Sequence, residues 1–236
     1  CGQIVIVGGG LLGLDVAVSL RHWGCQITVL EALPRLLPRQ LDPEGAAMLQ
    51  HLIEGRGIQV IVGDLCDEVL GEGSVTGVRL KSGRELPACL LLISAGVRPN
   101  TALASEAGLP CQRGILVNER MQTSLPDIYA VGDCAEFGGH VWGIIPAALA
   151  QARVAGSQIA GAKDVVYEDI VPSTTLKVSG IDLTSLGEVN PEADGAQEYR
   201  YVDQERGIYK KLVVRDGRVV GAILLATRIV DALADP

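Results

Sequence analysis

The chain has 236 residues, 48% hydrophobic and 20% charged, with 29 glycines and 3% aromatics. At about 150 residues per domain this makes one large domain or two to three small units, and the composition excludes a disordered or fibrous chain. With 20 Lys and Arg against 28 Asp and Glu, the net charge of -8 argues against a nucleic-acid partner or an anionic membrane surface, since both require a positive field.

The chain starts at Cys1 where an initiating chain would carry Met, so loss of the natural start is expected. Gln3 to Val7 is a β-branched run that ends in Gly8-Gly9-Gly10, and Leu11 to Trp23 carries apolar residues at helical spacing until Gly24. Gln26 to Leu30 is a second strand, closed by Glu31, giving a β-α-β unit. Asp42-Pro43 supplies an N-cap and a first-turn proline for a helix to about Arg56. Ile58 to Val62 is a third strand. Between Asp67 and Glu85, short alternating runs broken by Gly71-Glu72-Gly73-Ser74 and Lys81-Ser82-Gly83 predict a small antiparallel excursion. Ala88 to Ser94 is continuously apolar, the pattern of a central parallel strand buried on both faces. Arg98 to Gly114 predicts a connection with a short helix, Tyr129 to Val131 a buried strand, and Pro146 to Ala160 an Ala-rich helix. Beyond Val171 the runs Thr174 to Ser179, Leu183 to Glu188, Glu198 to Asp203, Ile208 to Arg215 and Val219 to Leu225 predict an antiparallel sheet in a separate small domain. Asp216-Gly217 supplies its hairpin turn, and Val165 to Pro172 is the expected junction.

The longest apolar stretches, Ala88 to Val97 and Val219 to Ala226, fall short of the roughly 18 residues that a membrane span requires. No membrane association and no signal peptide are expected, and the location inferred is cytoplasmic. The 6 cysteines form no C-x-x-C pair and the 3 histidines no H-E-x-x-H, so reduced thiols and no metal site are expected.

The chemistry lies in two motifs. Gly8-x-Gly10-x-x-Gly13 follows a strand and opens a helix, with Glu31 at the end of the next strand. In such a fingerprint the first glycine makes the turn, the second admits a pyrophosphate, and the third lets helix and strand pack. The helix N-terminus at Leu11, Leu12 and Gly13 supplies N–H donors and partial positive charge. Glu31 can accept both ribose hydroxyls of an adenosine and would repel a 2′-phosphate, so NADH is expected over NADPH, with Arg35 and Arg39 as partial compensation. The second motif, Thr123 to Asp133, ends in Gly132-Asp133, where a glycine admits a close ligand and a carboxylate faces sugar hydroxyls. Gly156 to Lys163 resembles a P-loop but carries Gly161-Ala162-Lys163-Asp164 in place of the required Gly-Lys-Ser/Thr.

Together these residues resemble the pyridine nucleotide-disulfide oxidoreductase superfamily of FAD- and NAD(P)-binding flavoproteins. Ile4 to Leu20 is similar to its NAD fingerprint, Ser94-Ala95-Gly96 to the strand end that closes the NAD domain, and Thr123 to Asp133 to the second FAD motif. Val29 to Asp42 and Lys177 to Leu183 resemble the large subunit branch of NAD(P)H nitrite reductases. The resemblance implies cofactor contacts from Gly8, Gly10, Leu11, Leu12, Gly13, Asp15, Glu31 and Gly96 toward NAD(H). It implies that Gly132 and Asp133 meet the ribityl or pyrophosphate region of FAD, and that the helix end at Pro146 faces the flavin pyrimidine. Asp15 stands where the family usually has Glu near the nicotinamide ribose. With one glycine fingerprint present, the FAD fingerprint is expected upstream, and the chain reads as a fragment without the N-terminal FAD half.

The expected fold is α/β: a Rossmann-like NAD(H)-binding domain over 1–97, the second half of an FAD-binding domain over 98–168, and a small α+β domain with an antiparallel sheet over 169–236. The expected function is hydride transfer from NADH to FAD and onward electron transfer to a redox acceptor protein or downstream acceptor domain, of nitrite reductase type. A rubredoxin or ferredoxin reductase is the alternative, or a non-catalytic NAD(H)-binding module. No side chain is assigned as catalytic, and a homo-oligomer is compatible with the sequence.

Overall fold

The computed structural model describes residues 2–162, 164–178, 180–191 and 195–227. Cys1, Lys163 of the P-loop-like segment, Ser179 of the first C-terminal strand and residues 228–236 lie outside the described residues. Two compact units divide the chain, residues 1–96 with 171–236, and residues 97–170.

In the first unit, β1 (Gln3–Val7), α1 (Leu11–His22), β2 (Gln26–Glu31), α2 (Pro43–Glu54) and β3 (Ile58–Val62) are followed by β4 (Cys66–Leu70), β5 (Gly77–Leu80), β6 (Glu85–Pro87) and β7 (Leu90–Ile93). The parallel sheet has the order β3-β2-β1-β7, and Val7 pairs with Leu30 on one side and Ile93 on the other. Period-two alternation sends successive β1 side chains to opposite faces. Ile4 and Ile6 join Leu14, Ala17, Leu49 and Ile53 under the two helices, whereas Val5 joins Val78, Leu80 and Leu86 of the antiparallel excursion β4-β5-β6. Each such buried aliphatic side chain contributes about 1.5–3 kcal/mol relative to exposure. Helix α2 begins as its sequence dictates, with Pro43 in the first turn and the Asp42 carboxylate accepting the Gly45 N–H at 3.0 Å.

The continuous apolar run at Ala88 to Ser94 is not a central strand. It narrows to β7 at the edge of the sheet, with Leu90 46% and Ile93 71% exposed. Hydrophobicity reported the inner contacts of Leu91 and Leu92, which touch the two cores, but not how many strands flank the run.

The unit 97–170 contains α3 (Ala102–Glu106), β8 (Ile115–Leu116), β9 (Ala135–Glu136) and α4 (Ile145–Ile159). The strand expected at Tyr129 to Val131 is a single bridge between Gln122 and Tyr129, followed by a 3-10 turn at Gly132–Cys134. Gly132 adopts φ 77, which ends extended pairing there. Met121, Val154, Ala155 and Tyr167 form this unit's core.

The C-terminal strands β10 (Ser173–Val178), β11 (Ile181–Gly187), β12 (Gln197–Asp203), β13 (Ile208–Arg215) and β14 (Arg218–Thr227) form an antiparallel sheet of order β10-β11-β14-β13-β12. The β13–β14 hairpin turns on Asp216 and Gly217, both with positive φ (51 and 72), the two-residue turn that matches strand twist. This sheet buries Leu176, Ile181, Leu183, Tyr209, Ile223 and Leu225 in the same core as α1 and α2. A sheet with one apolar face must cover it, and the nearest apolar surface is the outer side of those helices. Cys25 departs from the expectation of reduced thiols: it is disulfide-bonded, whereas Cys66, Cys89, Cys111 and Cys134 are free. Next to Cys25, Gln26 donates its N–H to Gly2 O at 3.3 Å.

Candidate dinucleotide-binding site

The order β3-β2-β1-β7 reverses direction at β1, and ligands of open α/β sheets bind outside the carboxyl ends of the strands at such a switch point. Gly8 and Ser94 sit there, at the ends of β1 and β7. Gly8 has φ 114, and a Cβ on it would collide with the Ser94 carbonyl. Its N–H donates to Leu30 O at 2.8 Å, and Ser94 donates to Val7 O at 2.7 Å. Gly96 follows with φ 95 and open space about its α-carbon.

Each fingerprint glycine has a separate geometric reason. A Cβ on Gly13 would strike the Gly8 carbonyl, so helix and strand approach this closely only because Gly13 lacks a side chain. Gly10, the N-cap of α1, would meet nothing within 4 Å; space, not conformation, distinguishes it, since its φ of -79 and ψ of -179 suit any residue. No side chain caps α1, and its first turn, Leu11, Leu12 and Gly13, holds no acidic residue. Its N–H groups and dipole are therefore free to meet an anion. Leu12 is 72% exposed beside them. Asp15 lies one turn on, exposed, with its carbonyl accepting the Ser19 hydroxyl at 2.9 Å.

Glu31 closes the opposite side. Its carboxylate accepts the Gly9 N–H at 2.8 Å and the Leu33 N–H at 2.8 Å, one on each oxygen. Two charge-assisted bonds fix the group while leaving lone pairs for further donors. Arg35 does not turn toward it. The guanidinium donates to Pro38 O at 3.3 Å, and its Nε is buried without a partner among the described residues.

In the other unit, Gly132 and Asp133 lie against α4. A Cβ on Gly132 would be 3.5 Å from Ala148 Cβ, the Gly132 N–H donates to Gln151 Oε1 at 2.7 Å, and Asp133 is exposed. Pro146 is in the first turn of α4, which no side chain caps. Sequence reasoning missed Gln151, only 1% exposed. The available signal was a polar residue on the stripe Ala147, Gln151, Val154, Ala155, the buried face of α4. Likewise Leu36, which packs on Gly9, and the backbone donors of Gly9 and Leu33 carry no compositional mark.

These residues fit a dinucleotide: an uncapped helix N-terminus over a space that a Cβ would fill, with a fixed carboxylate at the end of the second strand. The fold and site thus define a dinucleotide-binding α/β protein. Residues 2–158 match the family model "Pyridine nucleotide-disulphide oxidoreductase" and residues 172–227 match "Rubredoxin NAD+ reductase C-terminal domain". The chain belongs to the pyridine nucleotide-disulphide oxidoreductase family, which uses NAD(P)H and FAD. It is 40% identical over 222 residues to "Nitrite reductase [NAD(P)H]" of Bacillus subtilis (strain 168), covering 94% of this chain and 28% of that one. It is 31% identical to "NADH-rubredoxin oxidoreductase" of Clostridium acetobutylicum, covering 98% and 58%. The solved FAD-dependent pyridine nucleotide-disulphide oxidoreductase from Desulfovibrio vulgaris superposes with TM-score 0.83 at 33% identity, covering 98% of this chain and 61% of that chain. The chain therefore spans less than two thirds of each of these proteins. Among the described residues, no helix is long and apolar enough to cross a membrane.

Proposed function

We propose that this chain is the NADH-binding part of a flavin-dependent oxidoreductase that passes electrons to a redox acceptor, of the nitrite reductase type. Residues 1–97 bind NAD(H), residues 98–168 supply the second half of an FAD site, and residues 169–236 form the C-terminal sheet domain. The observation that carries this reading is the fixed Glu31 carboxylate beside the uncapped N-terminus of α1. The N–H groups of Leu11, Leu12 and Gly13 would hold the pyrophosphate in the space left by Gly10, and Gly8 and Gly96 would allow the backbone to approach it. Glu31 takes the adenosine ribose hydroxyls and repels a 2′-phosphate. Asp15 lies toward the nicotinamide half.

Gly132, Asp133 and the N-terminus of α4 at Pro146 would hold FAD, the helix dipole favouring negative charge there. FAD supplies the two-electron to one-electron step, and the protein supplies position, so no side chain serves as acid or base. The acceptor is a redox protein or a further domain. The match of residues 172–227 to a rubredoxin reductase domain favours a second reading, reduction of a rubredoxin- or ferredoxin-like protein.

The test is a calorimetric titration with NADH and NADPH, together with the visible spectrum of the protein. Tighter binding of NADH than NADPH is expected for this chain; in the intact protein that contains it, flavin bands bleached by NADH and restored by nitrite or by oxidised rubredoxin are expected, whereas the chain by itself, with half an FAD site, is expected to be inactive. The acceptor that restores the bands decides between the two readings. Absence of NADH binding overturns both.

A further inference from the structure

The segment Ala32 to Asp42, between β2 and α2, faces two ways. On the nucleotide side, Leu33 donates its N–H to Glu31 Oε1 at 2.8 Å, and Leu36, fully buried, packs on Gly9 of the glycine turn. Its other end is held by the C-terminal sheet. The Ser185 hydroxyl on β11 donates to Gln40 O at 2.7 Å. Asn190 Nδ2 donates to Leu41 O at 3.2 Å and Pro38 O at 3.4 Å. Tyr209 and Lys211 on β13 donate to the Asp42 carboxylate at 2.6 and 3.1 Å.

Local structure alone does not account for this segment. Leu37 has φ 47, a left-handed conformation unfavourable for a residue with a Cβ, yet its side chain is 2% exposed. Leu36, Leu37 and Leu41 share a core with Leu176, Leu183, Val189 and Ile223 of the C-terminal segment. A strained backbone persists where the surroundings over-determine it, and here those surroundings include a sheet more than a hundred residues away in the chain.

We propose that Ser185 and Asn190 are positioning residues for the dinucleotide: by holding the backbone of Pro38 to Leu41, they keep Leu33 and Leu36 against Glu31 and Gly9. The C-terminal sheet thereby sets affinity and preference through the segment Ala32 to Asp42. This rests on the reading of Gly8 to Glu31 as the NADH site. Loss of these bonds leaves the Gln40 and Leu41 carbonyls without their side-chain donors and Pro38 O with Arg35 alone, and the segment relaxes away from Glu31. NADH then loses a pre-aimed acceptor, whereas NADPH, which gains nothing from that carboxylate, loses little.

The experiment measures Kd for NADH and for NADPH by calorimetry on the wild-type chain, S185A, N190A, the double variant S185A/N190A, S185T and L224S, with Tm for each. Leu224 is on the opposite face of the same sheet, 48% exposed. We expect the double variant to bind NADH about tenfold more weakly, a change of about 1.4 kcal/mol, with the NADPH to NADH ratio of Kd moving toward one. S185T, which keeps the hydroxyl, and L224S should match wild type. An unchanged ratio in the double variant, whether both affinities hold or fall together with Tm, overturns the proposal. A wild-type chain that binds no NADH instead overturns the site assignment, and this proposal with it.

Discussion

The Gly9 backbone N–H donates to the Glu31 carboxylate at 2.8 Å, so the glycine-rich turn and the acidic residue at the end of β2 form one unit rather than two independent features. The turn orients the acceptor, and the acceptor pins the turn. This coupling predicts that changes at Glu31 affect the turn as well as the ribose.

Replacing Glu31 with Ser removes the charge opposed to a 2′-phosphate and the partner of two backbone N–H groups. NADH affinity should fall by about tenfold or more, since even one lost hydrogen bond to a charged group is worth about 1.5–3 kcal/mol. Discrimination against NADPH should shrink, and further still for Glu31→Arg. Equal NADH to NADPH ratios in wild type and both variants, measured by titration, would refute the assignment.

Gly10→Ala and Gly13→Ala should separate binding from folding. The Gly10 backbone suits alanine and its surroundings are empty, so Tm should hold while nucleotide binding is lost to a methyl in the pyrophosphate space. At Gly13 the methyl meets the Gly8 carbonyl, and overpacking costs about 1–3 kcal/mol, so stability and binding should fall together. Thermal melts beside NADH titrations check both, and a G10A variant that binds normally would move the pyrophosphate elsewhere.

Lys211 is 2% exposed and Asp42 4% at the side chain, with 3.1 Å between them; Glu198 also pairs with Lys211 at 3.1 Å. Removing one partner of a buried pair costs about 3–5 kcal/mol because a charge is left unmatched. Lys211→Met should therefore unfold at markedly lower denaturant, and D42N/K211M should recover part of the loss. Additive effects in this double-mutant cycle would show the pair to be uncoupled.

The same carboxylate predicts an acid response. Burial pushes the Asp42 carboxyl up, but hydrogen bonds from Tyr209, Gly45 and Lys211 outweigh it and hold the group below the usual aspartate range. The Tyr209 phenol is raised by burial and by that carboxylate, and stays protonated as a donor. A folded pKa below the unfolded value means that the unfolded chain takes up the proton first. The stabilisation is thus complete above the ordinary aspartate value of about 3.9 and is lost as pH falls through the folded one. The stability gap between wild type and D42N should be constant near neutrality and narrow below about pH 4, as followed by urea melts.

Gln151 in α4 accepts the Gly132 N–H at 2.7 Å from a buried position. Gln151→Leu leaves that donor unpaired at about 1–3 kcal/mol, whereas Gln151→Glu keeps an acceptor. Faster hydrogen exchange at Gly132 in the leucine variant is the expected signature. Identical exchange in wild type and variant would mean that other contacts hold the turn.

Much of the molecule was legible in the sequence because it is written in local signals. The glycine spacing, the β-branched runs, the Asp42-Pro43 start of α2 and the Asp216-Gly217 hairpin each depend on neighbours a few residues away. Those signals determined the β-α-β unit, the parallel sheet and the antiparallel C-terminal strands. The failures share the opposite property. Whether Leu90 and Ile93 are covered depends on how many strands flank β7, and whether Tyr129 to Val131 pairs depends on a partner elsewhere. The tertiary structure alone decided that Ser185, Asn190, Tyr209 and Lys211 reach Gln40 to Asp42, that Arg35 turns inward, and that Gln151 meets Gly132. Periodicity records which face of an element is buried; it carries no record of which distant element covers that face, because hydrophobic burial is non-directional.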